Sequence, residues 1–313
     1  MAVYTKLPAD ALATYLENFQ IGSLKTYEAI TTGIENSNYR IVTRLFDEDV
    51  KSVLTIIEGE NQARTEDVRR AMQHLAHYGL PVPQSRLLKV GVKQPKIEGK
   101  PTFLMQDLPG QHFTDVSTDH CSALGETLGR LHTTSTALDW DRPALYDSAW
   151  MSDTLTAYRK HLSLNHIQLI ERVIDDYETL ETAGLPRGLI HGDAFKDNVL
   201  FDNTHLVGLL DFFHISQDLW IMDLAIAIND WCTDSQGCLR NDHAAALLAG
   251  YDSARRLERE ERAALAVARA VAAARFALTR LETFDGQGFR KDPQEQLQIL
   301  HQVVAVNIQQ GFN

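Results

Sequence analysis

The chain has 313 residues, 42 acidic against 30 basic, a formal charge of -12, and 44% apolar and 23% charged side chains. This is enough for one large or two medium domains with a sizeable core, needing no disulfide or metal staple. The acidic balance, without any Lys/Arg block, argues against a nucleic-acid partner; it is compatible with a phosphate ligand only where a divalent cation offsets the repulsion.

In chain order, Leu12, Leu16 and Phe19 stand at helical spacing and predict a short leading helix, broken at Gly22-Ser23. From Tyr27 to Glu58 the texture changes to β-forming runs, Tyr39–Thr43 and Ser52–Ile57, separated by Gly33 and the acidic turn Asp47–Asp49, which predicts antiparallel strands. Thr65 can cap a helix with an inner face of Val68, Met72 and Leu75, ending at Gly79 before the extended Pro81-Val82-Pro83. Strands are expected at Arg86–Gly91 and Thr102–Gln106, so residues 1–106 read as a small α+β domain. Beyond Pro109-Gly110 the helical period dominates. Leu124, Leu128 and Leu131 line one face, with Gly125 and Gly129 leaving room for another element to approach. Ile167, Ile170, Ile174 and Tyr177 mark a further helix ended by Gly184 and Pro186, and Ala263–Leu281 is an alanine-rich helix carrying Arg269, Arg275 and Arg280. Residues 107–313 are therefore expected to form a mainly helical domain. Cys121, Cys232 and Cys238 form no CxxC pair, and no apolar stretch reaches membrane-spanning length. The expectation is a cytoplasmic protein with no membrane partner.

One segment interrupts the helical half. Leu189-Ile190 leads into His191-Gly192-Asp193-Ala194-Phe195-Lys196-Asp197-Asn198 and out through Val199-Leu200-Phe201; Asp202-Asn203 then turns the chain into Leu206–Leu210, ending at Asp211. Phosphoryl transfer asks little covalent chemistry of a protein: one group to orient the attacking hydroxyl, others to hold a metal on the phosphates. Asp193, Asn198 and Asp211 suit those tasks, and an all-oxygen set suits magnesium. His191 is a poor magnesium ligand and reads as a loop-orienting hydrogen-bond group. The plainer alternative is a polar loop that merely caps two strands.

His-Gly-Asp with Asn five positions after the Asp resembles the catalytic loop of the aminoglycoside phosphotransferase group, a branch of the protein-kinase-like fold. Asp211 follows Asn198 by thirteen residues (211 − 198), within Leu-Leu-Asp-Phe, where that fold carries its metal-binding Asp. The resemblance implies a two-lobed α+β fold: an N-lobe with a small antiparallel sheet and one helix over 1–106, and a larger, mainly helical C-lobe over 107–313. It also implies Asp193 as catalytic base, Asn198 and Asp211 as metal ligands, and ATP and Mg2+ as cofactors. Further segments are similar to the homoserine kinases built on this fold: Met1–Thr5, Gly33–Tyr39, Val53-Leu54-Thr55, Gly79–Pro83, Asn229-Asp230-Trp231-Cys232 and Arg275-Phe276. That similarity implies ATP-dependent phosphorylation of the L-homoserine hydroxyl to O-phospho-L-homoserine, a step toward threonine.

On the same grounds Gly33, Asn36 and Asn38 belong to the loop over the phosphates, and Met105 to Leu108 to the linker whose backbone meets adenine. Kinase-like folds place a lysine on the third strand; here that position is Thr55, and Lys51 and Lys196 are the nearby cations, Lys196 being counted with the nucleotide. Homoserine carries an ammonium and a carboxylate. Asp218, Asp223 and Asp230 are candidates for the first, Arg275 for the second, with Trp231 as a pocket wall; a structural salt bridge and a core aromatic are the alternatives. Rival functions are another hydroxyl kinase, acting on an aminoglycoside, choline or methylthioribose, and a non-catalytic nucleotide-binding module. Oligomeric state leaves no mark in the sequence.

Overall fold

A computed structural model describes residues 4–31, 35–58, 64–140, 142–283 and 291–309. The chain divides into two compact units, Met1–Pro109 and Gly110–Asn313.

The first unit contains α1 (Ala9–Leu16), β1 (Ser23–Ile30), β2 (Ser37–Leu45), β3 (Glu48–Ile56), α2 (Thr65–His77) and β4 (Thr102–Gln106). The strands pair in sequence order as one antiparallel sheet. Alternation along the strands sends Tyr39, Ile41, Leu54, Ile56 and Leu104 to one face, where they pack with Leu12, Tyr15 and Leu16 of α1 into a continuous core. Thr55 of β3 lies opposite Phe103 of β4, and Arg69 of α2 covers the Phe103 ring at 4.4 Å.

The strand expected at Arg86–Gly91 does not form. Ser85 bridges to Met105 and Leu88 to Phe19, two different partners, so no continuous ladder builds, and Leu87 and Val90 point into solvent.

The second unit holds α3 (Thr118–Ser135), α4 (Ser148–Tyr158), α5 (Leu164–Thr182), β5 (Arg187–Ile190), β6 (Val199–Asp202), β7 (His205–Leu209), β8 (Ser216–Leu219), α6 (Ile221–Trp231), α7 (Asn241–Ala254), α8 (Arg259–Glu282) and α9 (Gln294–Gln309). β6 and β7 form a tight hairpin, β5 pairs with β8, and both pairs are antiparallel. Helices α3 and α7 pack backbone to backbone: a Cβ on Gly125 would stand 2.0 Å from Leu247 O, and one on Gly250 would stand 2.0 Å from Ser122 O. Among the described residues no helix is long and apolar enough to cross a membrane, and the three cysteines are free thiols.

Candidate active site

The polar loop begins where β5 ends. Leu189 and Ile190 are buried, which fixes the strand, and the next eight residues carry the polar groups. Gly192 has φ +77°, and a Cβ there would lie 2.8 Å from His214 O, so glycine alone lets the loop approach the segment after β7 so closely. The loop folds back on itself: Phe195 N–H donates to Asp193 O at 2.8 Å and Asn198 N–H to Phe195 O at 2.9 Å. The Asn198 amide then donates to both the backbone oxygen and the Oδ2 of Asp193, each at 2.8 Å.

The loop is also tied to the strand that delivers Asp211. Leu210 N–H donates to Asn198 O at 2.8 Å. His191 Nε2 donates to Leu210 O at 2.8 Å, and its Nδ1 accepts from Asp193 N–H at 3.2 Å. Those two bonds demand the neutral ring with its proton on Nε2, and burial pushes the His191 pKa down to about 4, which keeps the ring neutral. The role expected for His191, orienting the loop, is the one its bonds describe.

Asp193 has a pKa raised to about 7. Burial is the main cause; Asp211 and Asp197 raise it further, while His214 and Arg275 oppose them. Asp211 is exposed and adopts φ +59°, ψ 66°, a left-handed conformation that costs a non-glycine residue energy and is commonest at functional sites. Asn198 spends its amide N–H groups on Asp193, so its oxygen is left for a cation, and Asp211 supplies a carboxylate. Among the described residues no three His, Cys, Asp or Glu side chains gather as a metal site. Magnesium does not require them, since it takes one or two protein carboxylates and completes its shell with phosphate oxygens and water. The residues present fit that ion.

Helix α6 holds the loop from behind. Asp223 accepts from His191 N–H and Gly192 N–H, both at 2.8 Å, and from His132 Nε2 at 3.0 Å. Burial alone would raise its pKa, but these hydrogen bonds and the His132 charge hold it below the usual range. His132 in turn bonds Tyr251 at 2.7 Å and stacks on Trp220. Asp223 is thus a loop anchor and leaves the substrate candidates. Trp231 does likewise: it is 1% exposed and its indole N–H donates to Ala194 O at 2.9 Å, so it braces the loop from the core rather than walling a pocket. Asp218, 3% exposed, accepts from Tyr177 OH and from Leu219 N–H, which occupies its oxygens within the protein. Arg275, 2% exposed, donates from Nη2 to Gly192 O at 2.8 Å and lies over the Tyr146 ring at 4.1 Å, which makes it a support of the loop.

Asp230 is partly exposed. Its Oδ2 accepts from Lys196 N–H at 2.8 Å, and burial raises its pKa to about 6 against the pull of the Lys196 charge. In the first unit, Asn36 Oδ1 accepts from Glu58 N–H at 3.1 Å, and Asn38 Oδ1 from Thr55 Oγ1 at 2.7 Å, so a hydroxyl–amide pair stands where the lysine was expected. Met105 lies on β4 opposite Val53, and Leu108 follows that strand, half-buried. Gly33 lies outside the described residues. Sequence reasoning did not single out His132, Tyr146 or His214, and nothing in their spacing marks them; only the fold brings them to the loop.

The sequence profile of the Phosphotransferase enzyme family matches residues 26–257. The chain belongs to that family. Among phosphotransferase relatives, the homoserine kinase of Gluconobacter oxydans (strain 621H) is 36% identical over 304 residues, covering 94% of this chain and 95% of that protein. The homoserine kinase of Pseudomonas aeruginosa (strain LESB58) is 33% identical over 292 residues, 92% of this chain and 91% of that one. Among solved structures, the amicoumacin kinase hAmiN in complex with AMP-PNP, Ca2+ and Ami superposes with a TM-score of 0.72 at 14% identity, covering 97% of this chain and 94% of that one, a likeness of fold. The protein-kinase-like α+β architecture expected from the loop is the one found.

Proposed function

We propose that this phosphotransferase is a homoserine kinase, moving the γ-phosphoryl group of ATP to the side-chain hydroxyl of L-homoserine to give ADP and O-phospho-L-homoserine, in the cytoplasm and on the route to threonine. The observation that carries a kinase reading is the Asp193–Asn198 pair, clamped by two 2.8 Å hydrogen bonds in a loop bolted to the Asp211 strand. The near full-length relatives choose the acceptor.

In this reading Asp193 accepts a hydrogen bond from the substrate hydroxyl, aims its oxygen at the γ-phosphorus and takes up its proton as the new P–O bond forms. A carboxyl with a pKa near neutrality is suited to that exchange, because the proton is neither refused nor held. Asn198 keeps the Asp193 carboxylate in one rotamer. Asn198 and Asp211 hold Mg2+, which when bound neutralises charge on the phosphate oxygens. Arg275 and Asp223 fix the Gly192 peptide from its two ends, C=O and N–H, so the loop meets the substrate preformed. In this reading Asn36 and Asn38 serve the phosphates and Met105 to Leu108 adenine, with the Thr55–Asn38 pair in place of a lysine contact.

ADP release measured with L-homoserine, choline and kanamycin, each with and without Mg2+, tests this reading. Homoserine should exceed the others in kcat/KM by at least tenfold. A preference for choline or kanamycin would overturn the acceptor, and nucleotide binding without any turnover would overturn the enzyme.

A further inference from the structure

Beside the catalytic loop the second unit holds a cavity of about 380 Å3, lined among others by Phe195, Lys196, Asp230, Arg280, Lys291 and Glu295. That volume lies at the small end of the roughly 300–1,000 Å3 common for ligand pockets. Its walls carry both signs of charge, whereas a polycation or a choline would call for anions or aromatics alone. The cations differ in what they already do. Arg280 donates to Asp292 O at 2.8 Å and to Glu295 Oε2 at 2.7 Å, and Lys291 lies 3.5 Å from Asp197. The Lys196 ammonium has no hydrogen-bond or ion-pair partner among the described residues. Asp230 has one oxygen fixed by the Lys196 backbone N–H at 2.8 Å, which leaves Oδ1 for another donor and sets the carboxylate beside the lysine.

We propose that this cavity grips the α-amino-acid end of the acceptor, with Asp230 Oδ1 receiving the ammonium and Lys196 Nζ the carboxylate, an assignment that rests on the homoserine kinase reading. The two charges of an amino acid share one carbon, so their binding groups must be neighbours, as the Asp230–Lys196 hydrogen bond makes them. The hydroxyl must at the same time reach Asp193. Three residues of chain span at most about 10 Å when extended, and the turn closed by Phe195 N–H on Asp193 O at 2.8 Å draws Asp193 and Lys196 closer than that. Phe195, held edge-on to Phe276 at 4.6 Å, offers the methylenes an apolar wall. Lys196 then serves the acceptor and not the nucleotide.

The test is steady-state kinetics of the full chain with L-homoserine, 3-aminopropan-1-ol, which lacks the carboxylate, and 4-hydroxybutanoate, which lacks the ammonium. An analogue that is not turned over is assayed as a competitive inhibitor. Lys196→Met should raise the homoserine KM at least tenfold, while the constant for 3-aminopropan-1-ol and the KM for ATP stay within twofold of wild type. Asp230→Asn, which keeps an acceptor for the Lys196 N–H, should penalise homoserine and spare 4-hydroxybutanoate. A rise in ATP KM with homoserine KM unchanged in Lys196→Met overturns the proposal and leaves the kinase reading intact; wild type without homoserine-dependent ADP release overturns the kinase reading itself. Should Asp230→Asn not fold, the wild-type chain still decides, because equal efficiency with homoserine and 3-aminopropan-1-ol shows that no group reads the carboxylate.

Discussion

At the residue scale the chemistry turns on carboxylates that look alike in sequence and differ in surroundings. Asp193→Asn removes the proposed proton acceptor but keeps the Asn198 clamp on the backbone oxygen, so kcat should fall about 10²- to 10⁴-fold with ATP affinity nearly unchanged; full retained activity would remove Asp193 from the mechanism. Asp218 gives the contrasting case. Burial lifts its pKa to about 6 from 3.8, roughly two units or ~3 kcal/mol of disfavour for the charged form. The raised value means the folded state binds the proton more tightly than the unfolded chain does. The cost is therefore full above pH 6 and fades as pH falls toward 4. Asn at this position still accepts from Leu219 N–H and can donate to the Tyr177 oxygen. Asp218→Asn should thus gain about 1–3 kcal/mol at pH 8 and nothing near pH 4, read from thermal unfolding at both; a loss at pH 8 would show that the Arg275 field outweighs burial. These two residues also mark what the sequence could tell. The loop that joins Asp193 to Asn198 and its tie to the strand before Asp211 were legible because the spacing is local. Asp218, Asp223, Trp231 and Arg275 were not, since nothing local says whether a polar group faces a cavity or the loop's own backbone.

At the scale of elements, one helix does most of the positioning. Asp223 and Asp230 are seven residues apart on α6 (230 − 223), two turns, so both share a face, and Trp231 adjoins them. That face meets the loop at His191 and Gly192, at Ala194 and at Lys196. Trp231→Phe retains an aromatic ring in the core but leaves Ala194 O without its donor. We expect about 1–3 kcal/mol of lost stability, with kcat falling more than the ATP KM rises, measured by denaturant unfolding beside steady-state kinetics; unchanged kcat would mean the loop needs no brace at Ala194. The helices themselves were readable from their period, and Gly125 and Gly129 correctly signalled a close neighbour, which is α7. Gly250, the reciprocal contact on α7, carried no such signal. Its substitution by Ala sets a Cβ against the Ser122 carbonyl and should cost at least about 1–3 kcal/mol. The Arg86–Gly91 strand was misread because β-forming residues supply propensity, whereas a strand also needs one continuous partner.

At the scale of the whole molecule, composition and pattern were enough for the balance of elements, a sheet with helices α1 and α2 in the first unit and mainly helices around the short strands β5–β8 in the second; the arrangement of charge around the loop required the fold. The overall charge of -12 also constrains the ligand. A nucleotide triphosphate approaching an acidic protein is repelled unless a cation accompanies it, and the Asn198–Asp211 oxygens are the proposed place for that cation. ATP with Mg2+ at about a hundred times its dissociation constant should stabilise the chain by about 2.7 kcal/mol, seen as a rise of several degrees in Tm. EDTA should erase that rise. Asp211→Asn should erase most of it as well, and because asparagine tolerates the left-handed backbone at this position, the ligand-free Tm should stay near wild type. The unliganded value separates loss of metal binding from simple unfolding. An ATP-induced shift that survives EDTA would mean that nucleotide binding draws on side chains alone, and the assignment of Asp211 to the metal would fall with it.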